Sequence, residues 1–259
     1  MNNIEFLSVA SGSSGNAVYI SDGHTSLLID CGISGKCLAE GLLRADISPD
    51  SLDAVLITHE HIDHVAGVGV ISRRYKLPVY ATEKTFAACT KIGKPEKFIP
   101  IEKHTDFSIG SIGVRAFSVS HDAADPVGYS FFTGNKKFTV ATDTGIITEN
   151  IRKEVINSDT VLLESNHDVE MLKFGSYNYD LKRRVLSDEG HLSNDAAADF
   201  SAELLNTGTK KIILGHLSHE NNTPDIAYKT SENKLISLGA VIGGDIILSV
   251  AKRSEVTLF

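Results

Sequence analysis

Short apolar runs bounded by Gly, Ser, Asp and Asn recur along the chain and read as strands buried on one or both faces. In the first part they lie at 4–9, 16–21, 25–30, 54–58, 78–81, 97–101 and 112–120. A pair at 127–133 and 137–142 flanks Gly134-Asn135, the composition of a tight hairpin turn. Helical spacing of apolar positions appears at 64–75 and 82–92. The second part continues with strands at 160–164, 211–214, 239–241 and 245–250 and helices at 180–187, 194–206 and 223–233.

Both halves therefore alternate sheet-forming stretches with single helices, which suits two sheets packed face to face with helices outside. The fold class expected is α/β (α+β). No repeat, low-complexity tract or long linker interrupts the chain, so residues 1–259 are expected to form a single domain. With 259 residues, 42% of them apolar, there is material for a sizeable core.

No apolar run approaches the roughly 18 residues that span a bilayer. The segment Met1–Ala10 has neither the basic start nor the long apolar stretch of a secretory signal. The expectation is a cytoplasmic protein with no membrane partner. Cys31, Cys37 and Cys89 form no even framework and no CxxC pair, so they read as thiols of a reducing compartment. The formal charge of −8 argues against a simple basic grip on nucleic acid. Divalent cations at the site would offset that charge locally.

The chemistry concentrates in Thr58-His-Glu-His-Ile-Asp-His64, directly after a strand. His59, His61, Asp63 and His64 stand at i, i+2, i+4 and i+5. On a helix these positions diverge, because neighbours there are three or four apart. In an extended stretch alternate residues share a face, so a loop leaving a strand can aim His59 and His61 at one metal and Asp63 and His64 at another. Imidazole and carboxylate suit Zn²⁺, Mn²⁺ or Fe.

His-x-His-x-Asp-His after a strand resembles the signature of the metallo-β-lactamase superfamily. The resemblance implies a four-layer αββα sandwich, a dinuclear metal site at one edge and three further ligands downstream. Candidates follow strands in the required order at His121, Asp143 and His216. By resemblance, His59, His61 and His121 hold one divalent ion, and Asp63, His64 and His216 the other. Asp143 bridges, and a hydroxide between two Zn or Mn ions is the nucleophile of a metallohydrolase.

Two later segments bear on the substrate. Glu164 ends the strand Leu162-Leu163-Glu164, and His191 precedes a helix in Glu189-Gly-His-Leu-Ser-Asn194. An acid and a histidine so placed resemble the phosphodiesterase branch, the tRNase Z and related nuclease group. There the histidine, oriented by the carboxylate, faces the scissile phosphate, which would make His191, Glu164 and Asp63 the catalytic residues. Ala10-Ser-Gly-Ser-Ser-Gly-Asn16, Gly190-His-Leu-Ser-Asn194 and Gly215-His-Leu-Ser-His-Glu-Asn221 resemble the YycJ/WalJ-type branch, which implies a bacterial protein related to DNA exonucleases.

Substrate contacts are expected from Ser13 and Asn16 in a Gly-rich turn and from Arg183 and Arg184, with Lys182 beside them. A tight hairpin turn and a solvated helix face are the plain alternatives for these two segments. His24 and His104 are expected in solvent, and His167 and His219 near the site. Three functions stay open: a nuclease with nucleic acid, DNA first, as partner; a hydrolase of small esters, thioesters or lactones; and a non-catalytic metal-binding regulator. The oligomeric state is left open.

Overall fold

The computed structural model describes residues 4–258. In chain order the strands are β1 (Glu5–Ala10), β2 (Ala17–Ser21), β3 (Ser26–Ile29), β4 (Ala54–Leu56), β5 (Pro78–Ala81), β6 (Lys97–Pro100), β7 (Asp106–Ile109), β8 (Ile112–Ser118), β9 (Val127–Thr133), β10 (Lys136–Ala141), β11 (Thr160–Glu164), β12 (Lys211–Gly215), β13 (Ile247–Val250) and β14 (Thr257–Leu258). The helices are α1 (Gly35–Arg44), α2 (Ile62–Val65), α3 (Val68–Tyr75), α4 (Glu83–Ala88), α5 (Glu149–Val155), α6 (Val169–Phe174), α7 (Tyr179–Val185), α8 (Asn194–Leu204) and α9 (Pro224–Ser237). Contacts group the chain into two compact units. The first holds the residues up to Ala116, Ala123–Val127 and those from Lys252 on; the second holds Phe117–Asp122 and Gly128–Ala251.

In the first unit the sheet runs β14-β1-β2-β3-β4-β5-β6. Pairing is antiparallel from β14 to β3 and parallel from β3 to β6. β2, β3 and β4 are buried at every position, as their largely apolar sequences require; only Ser21 and Ser26, paired across β2 and β3, are polar. Leu28, Val55 and Val79 of the sheet share a core cluster with Leu38 and Leu42 of α1 and Val65, Val68 and Ile71 of α2 and α3. The single helix expected over 64–75 is two. Gly67 N–H donates to Cys31 O at 2.7 Å, tying the chain to the loop after β3 where one continuous helix would have run past it.

The second unit carries strands in the order β13-β12-β11-β10-β9. β9 and β10 form the hairpin expected around Gly134-Asn135, and β10 to β13 are parallel. Val161, Leu163, Ile212 and Leu214 of β11 and β12 pack with Ile151 and Val155 of α5, Phe200 and Leu204 of α8 and Leu235 of α9. The strand expected at 239–241 is absent. Gly239 adopts φ 87° after α9, and only an isolated bridge, Ile242 to Ile246, follows.

Among the described residues no helix is long and apolar enough to cross a membrane. What matters for the site is where the parallel strands end. In the first unit Asp30 and Thr58 lie just past the C-terminal ends of β3 and β4, and in the second Asp143, Glu164 and His216 lie at or just past those of β10, β11 and β12; the C-terminal edge of a parallel sheet is where ligand sites form.

Candidate active site

In the first unit the histidine segment is half loop and half helix. His59 and His61 precede α2, with His61 extended as its N-cap (φ −60°, ψ 146°), while Asp63 and His64 stand on its short turn. The ring centroids of His59 and His61 are 4.7 Å apart, those of His59 and His64 4.1 Å. The sharp change from extended chain to helix lets four ligand-type residues within six positions converge.

Asp30 organises this segment. It is buried, and its carboxylate accepts Thr58 N–H at 2.8 Å, Thr58 Oγ1–H at 2.7 Å and His64 Nδ1–H at 2.8 Å. With the Thr58 hydroxyl proton directed at Asp30, its oxygen accepts from His59 Nδ1 at 3.0 Å. Both imidazoles are thereby held with the proton on Nδ1 and the lone pair on Nε2, the tautomer a metal-binding histidine adopts; in His64 that lone pair accepts the Asn16 amide at 3.0 Å.

The Ser11–Asn16 turn braces the same segment. Asn16 is 6% exposed. Its backbone N–H donates to Asp63 O at 2.8 Å, and its Nδ2 lies 3.3 Å from Asp63 O and 3.0 Å from His64 Nε2. Its Oδ1 accepts Gly12 N–H at 2.9 Å. Of the two residues of this turn expected at the substrate, Asn16 is buried against Asp63 and His64, whereas Ser13 is exposed. Gly32 completes the seat: a Cβ there would lie 1.6 Å from Asp63 O, so only glycine lets the chain after β3 approach so closely.

The second unit gathers its own set. Asp143, Glu164, His191 and His216 bring ligand-type atoms within 4.8 Å of one another. His216 Nδ1 is 3.3 Å from Asp143 Oδ2. His121 Nδ1 donates to Gly190 O at 3.0 Å, and its Nε2 lies 3.9 Å from Asp143 Oδ1. Asp143 and His216 hold φ of 56° and 53°, and Asp30 in the first unit 59°. Left-handed backbone in a non-glycine residue costs roughly 1 kcal/mol or more and persists where the surroundings enforce it, commonly at functional sites.

Glu164 is fully buried, and its carboxylate accepts three hydrogen bonds: from His191 Nδ1 at 2.7 Å, Thr144 N at 2.8 Å and Leu192 N at 3.2 Å. These donors compensate for the loss of water around a buried carboxylate. They also fix the His191 ring, which stacks on His216 with centroids 5.3 Å apart at 17°. His191 keeps 20% of its side chain exposed, so the dyad has a buried acid and an accessible imidazole.

The basic run on α7 divides in two. Arg184, expected at the substrate, forms a bidentate ion pair with Asp122 that ties α7 to the residue after His121, with its side chain half exposed. Arg183 is exposed. A Cβ on Gly190 would lie 2.3 Å from both Arg184 O and Val185 O, so this glycine is what lets the His191 loop press onto the end of α7. His24, His104 and His219 are exposed, whereas His167 is buried and burial pushes its imidazole down to about 4.

Asp30, Thr58 and Gly190 were not among the expected site residues. Asp30 carried a signal in retrospect, as an acid ending a fully apolar strand just before Cys31-Gly32. Thr58 looked like a strand residue, and nothing local marked Gly190 as a close approach.

Comparison with known proteins gives the family. A sequence model of the β-lactamase superfamily domain matches residues 25–217. The exodeoxyribonuclease WalJ of Streptococcus pneumoniae strain D39 is 44% identical over 243 residues, 92% of this chain and 90% of that protein. The exodeoxyribonuclease YycJ of Bacillus anthracis is 40% identical over 247 residues, 93% of this chain and 92% of that protein. The metallo-β-lactamase fold protein YhfI of Bacillus subtilis superposes with a TM-score of 0.72 at 18% identity, covering 99% of this chain and 100% of that one, a likeness of fold alone. The chain thus belongs to the metallo-β-lactamase superfamily, in the branch of WalJ and YycJ.

Proposed function

We propose that this protein is a metal-dependent phosphodiesterase that degrades DNA from an end. The observation that carries the reading is the Glu164–His191 dyad, a buried carboxylate 2.7 Å from an accessible imidazole in the same cluster as Asp143 and His216. Ester or lactone hydrolysis has no need of such a pair. Phosphodiester cleavage does, because its leaving oxygen needs a proton. The printed names of the two long relatives, both exodeoxyribonucleases, support DNA as substrate.

The donor chemistry fits divalent cations. Seven imidazoles and carboxylates lie at or just past strand ends, and two of the histidines, His59 and His121, have a hydrogen bond at Nδ1 that turns Nε2 to a cation. We assign His59, His61 and His121 to one ion and Asp63, His64 and His216 to a second, with Asp143 shared. Zn²⁺ and Mn²⁺ both suit this set. When bound, such ions activate water and neutralise charge on a phosphoryl group.

The protein's own groups supply the rest. Glu164 holds Nδ1–H of His191, which presents Nε2 to the leaving oxygen. The buried carboxylate stabilises the positive charge of the imidazolium, and Nε2 then gives up its proton as the P–O bond breaks. Asp30, Thr58 and Asn16 keep the first motif in place through this cycle.

The test is hydrolysis of bis-p-nitrophenyl phosphate and of end-labelled DNA, with Mn²⁺ or Zn²⁺ returned after chelation. Metal-dependent cleavage of both is expected, lost in Asp63→Ala and reduced roughly 10²-fold or more in His191→Ala. Turnover of lactones or thioesters with neither phosphodiester cleaved under any metal would overturn the reading.

A further inference from the structure

We infer that α6, α7 and the turn joining them form a stacking platform for single-stranded DNA beside His191; this rests on the phosphodiesterase reading above. A formal charge of −8 leaves the protein without the broad basic face that most nucleic-acid grips need. The surface holds a different resource. Phe174 is 84% exposed and Tyr179 73%, and they are the two aromatic rings among the strongly exposed large apolar side chains of the described residues. They lie five positions apart, at the end of α6 and the start of α7, so two exposed rings bracket one turn.

Cations flank these rings. Lys173 adjoins Phe174 and reaches Glu170 at 3.0 Å. Lys182 Nζ donates to Lys173 O at 2.8 Å, drawing the start of α7 to the end of α6, and Arg183 next to it is exposed. Rings that accept any base face, together with a few cations for the backbone, are the elements of sequence-tolerant single-strand binding. Stacking also serves where charge is scarce, because it needs no excess of basic residues.

The platform is anchored to the dyad. Asp168 N–H, ahead of α6, donates to Asn221 O at 2.9 Å, and Ser176 Oγ in the turn donates to Glu220 Oε2 at 2.7 Å. At the far end His191 N–H donates to Val185 O at 3.0 Å, and Gly190 packs on Arg184 O and Val185 O. α7 has seven residues, about 10 Å of helix. That is the reach of roughly three nucleotides at about 3.4 Å each. A strand whose end lies at His191 would therefore run its next bases past Arg183 and Lys182 to Tyr179 and Phe174. Because the segment is fixed at both ends, the backbone that carries the rings is already ordered before binding.

The experiment measures affinity of the metal-loaded protein for a fluorescent, phosphorothioate-linked dT12, by anisotropy, for the parent, Phe174→Ala, Tyr179→Ala, the double variant and the conservative Phe174→Trp. Each alanine is expected to weaken binding about 5- to 100-fold, with the thermal midpoint unchanged because both rings are exposed. Phe174→Trp should keep or tighten it. Log affinity should fall with log salt at a shallow slope, of about −1 to −2, as two or three cations predict. Undiminished affinity in the double variant, or a steep salt slope, would overturn the platform and leave these rings to a protein partner. Hydrolysis of bis-p-nitrophenyl phosphate by the parent, which has no base to stack, separately decides the phosphodiesterase reading.

Discussion

Asp30 Oδ2 lies 2.8 Å from His64 Nδ1, joining the end of β3 to a histidine 34 positions later. The same carboxylate holds Thr58 through its N–H and its hydroxyl, so one buried acid sets the ring of His64 directly and that of His59 through Thr58. Asp30→Asn replaces an acceptor oxygen by a donor and cannot satisfy all three partners. The expected result is a folded protein whose affinity for Zn²⁺ or Mn²⁺ falls about 10- to 100-fold in a chelator-competition titration. Unchanged affinity would show that Asp30 does not orient a ligand.

Gly32 has no room for a side chain. A Cβ would sit 1.6 Å from Asp63 O and 2.9 Å from Asn16 N, both parts of the backbone that cannot rotate away. Gly32→Ala is expected to cost about 3 kcal/mol or more in urea unfolding, because relief requires moving the whole Asp63–His64 turn. Metal stoichiometry should drop with it. A variant as stable as the parent, with full metal uptake, would contradict the close approach.

His167 makes stability depend on acid. Burial pushes its imidazole down to about 4, partly opposed by Glu164 and Asp168, with His191 adding to the depression. The unfolded chain takes up this proton near 6.5 and the folded one near 4, so the contribution is intact above pH 6.5 and is lost as pH falls toward 4. The loss amounts to about 3 kcal/mol at most. His167→Gln should flatten the stability profile between pH 6.5 and 4, measured by denaturant unfolding at stepped pH. A profile as steep as the parent's would assign the acid sensitivity elsewhere.

The three thiols differ in reach. Cys31 and Cys89 are buried, and burial pushes both up to about 12, whereas Cys37 lies exposed on α1. A thiol-reactive disulfide reagent at pH 8 should modify one cysteine in the native protein and three after denaturation. Rapid labelling of two or more in the native state would mean that the core around Cys31 opens readily.

Much of this was legible in the chain itself. Strands such as Pro78–Ala81 and Thr160–Glu164 were readable to the residue, because unbroken apolar runs between turn residues leave the backbone little choice. His59, His61, Asp63 and His64 announced themselves, since four ligand-type side chains in six positions are rare without a shared target. α1, α5 and α6 were not visible. They are short or largely polar, and their helicity comes from caps such as Ser34, Thr148 and Asp168 and from the few residues they bury.

What only the tertiary structure decided is which partners these polar residues take. Asn16, expected at the substrate, braces Asp63 and His64, and Arg184 is paired with Asp122. Asp30, absent from any local motif, turned out to be the hub of the first one. Sequence patterns report on neighbours along the chain, where periodicity and propensity act. A hydrogen bond between residues 34 or 62 positions apart depends on where strand ends meet, and that is settled by the packing of the core rather than by the residues that form the bond.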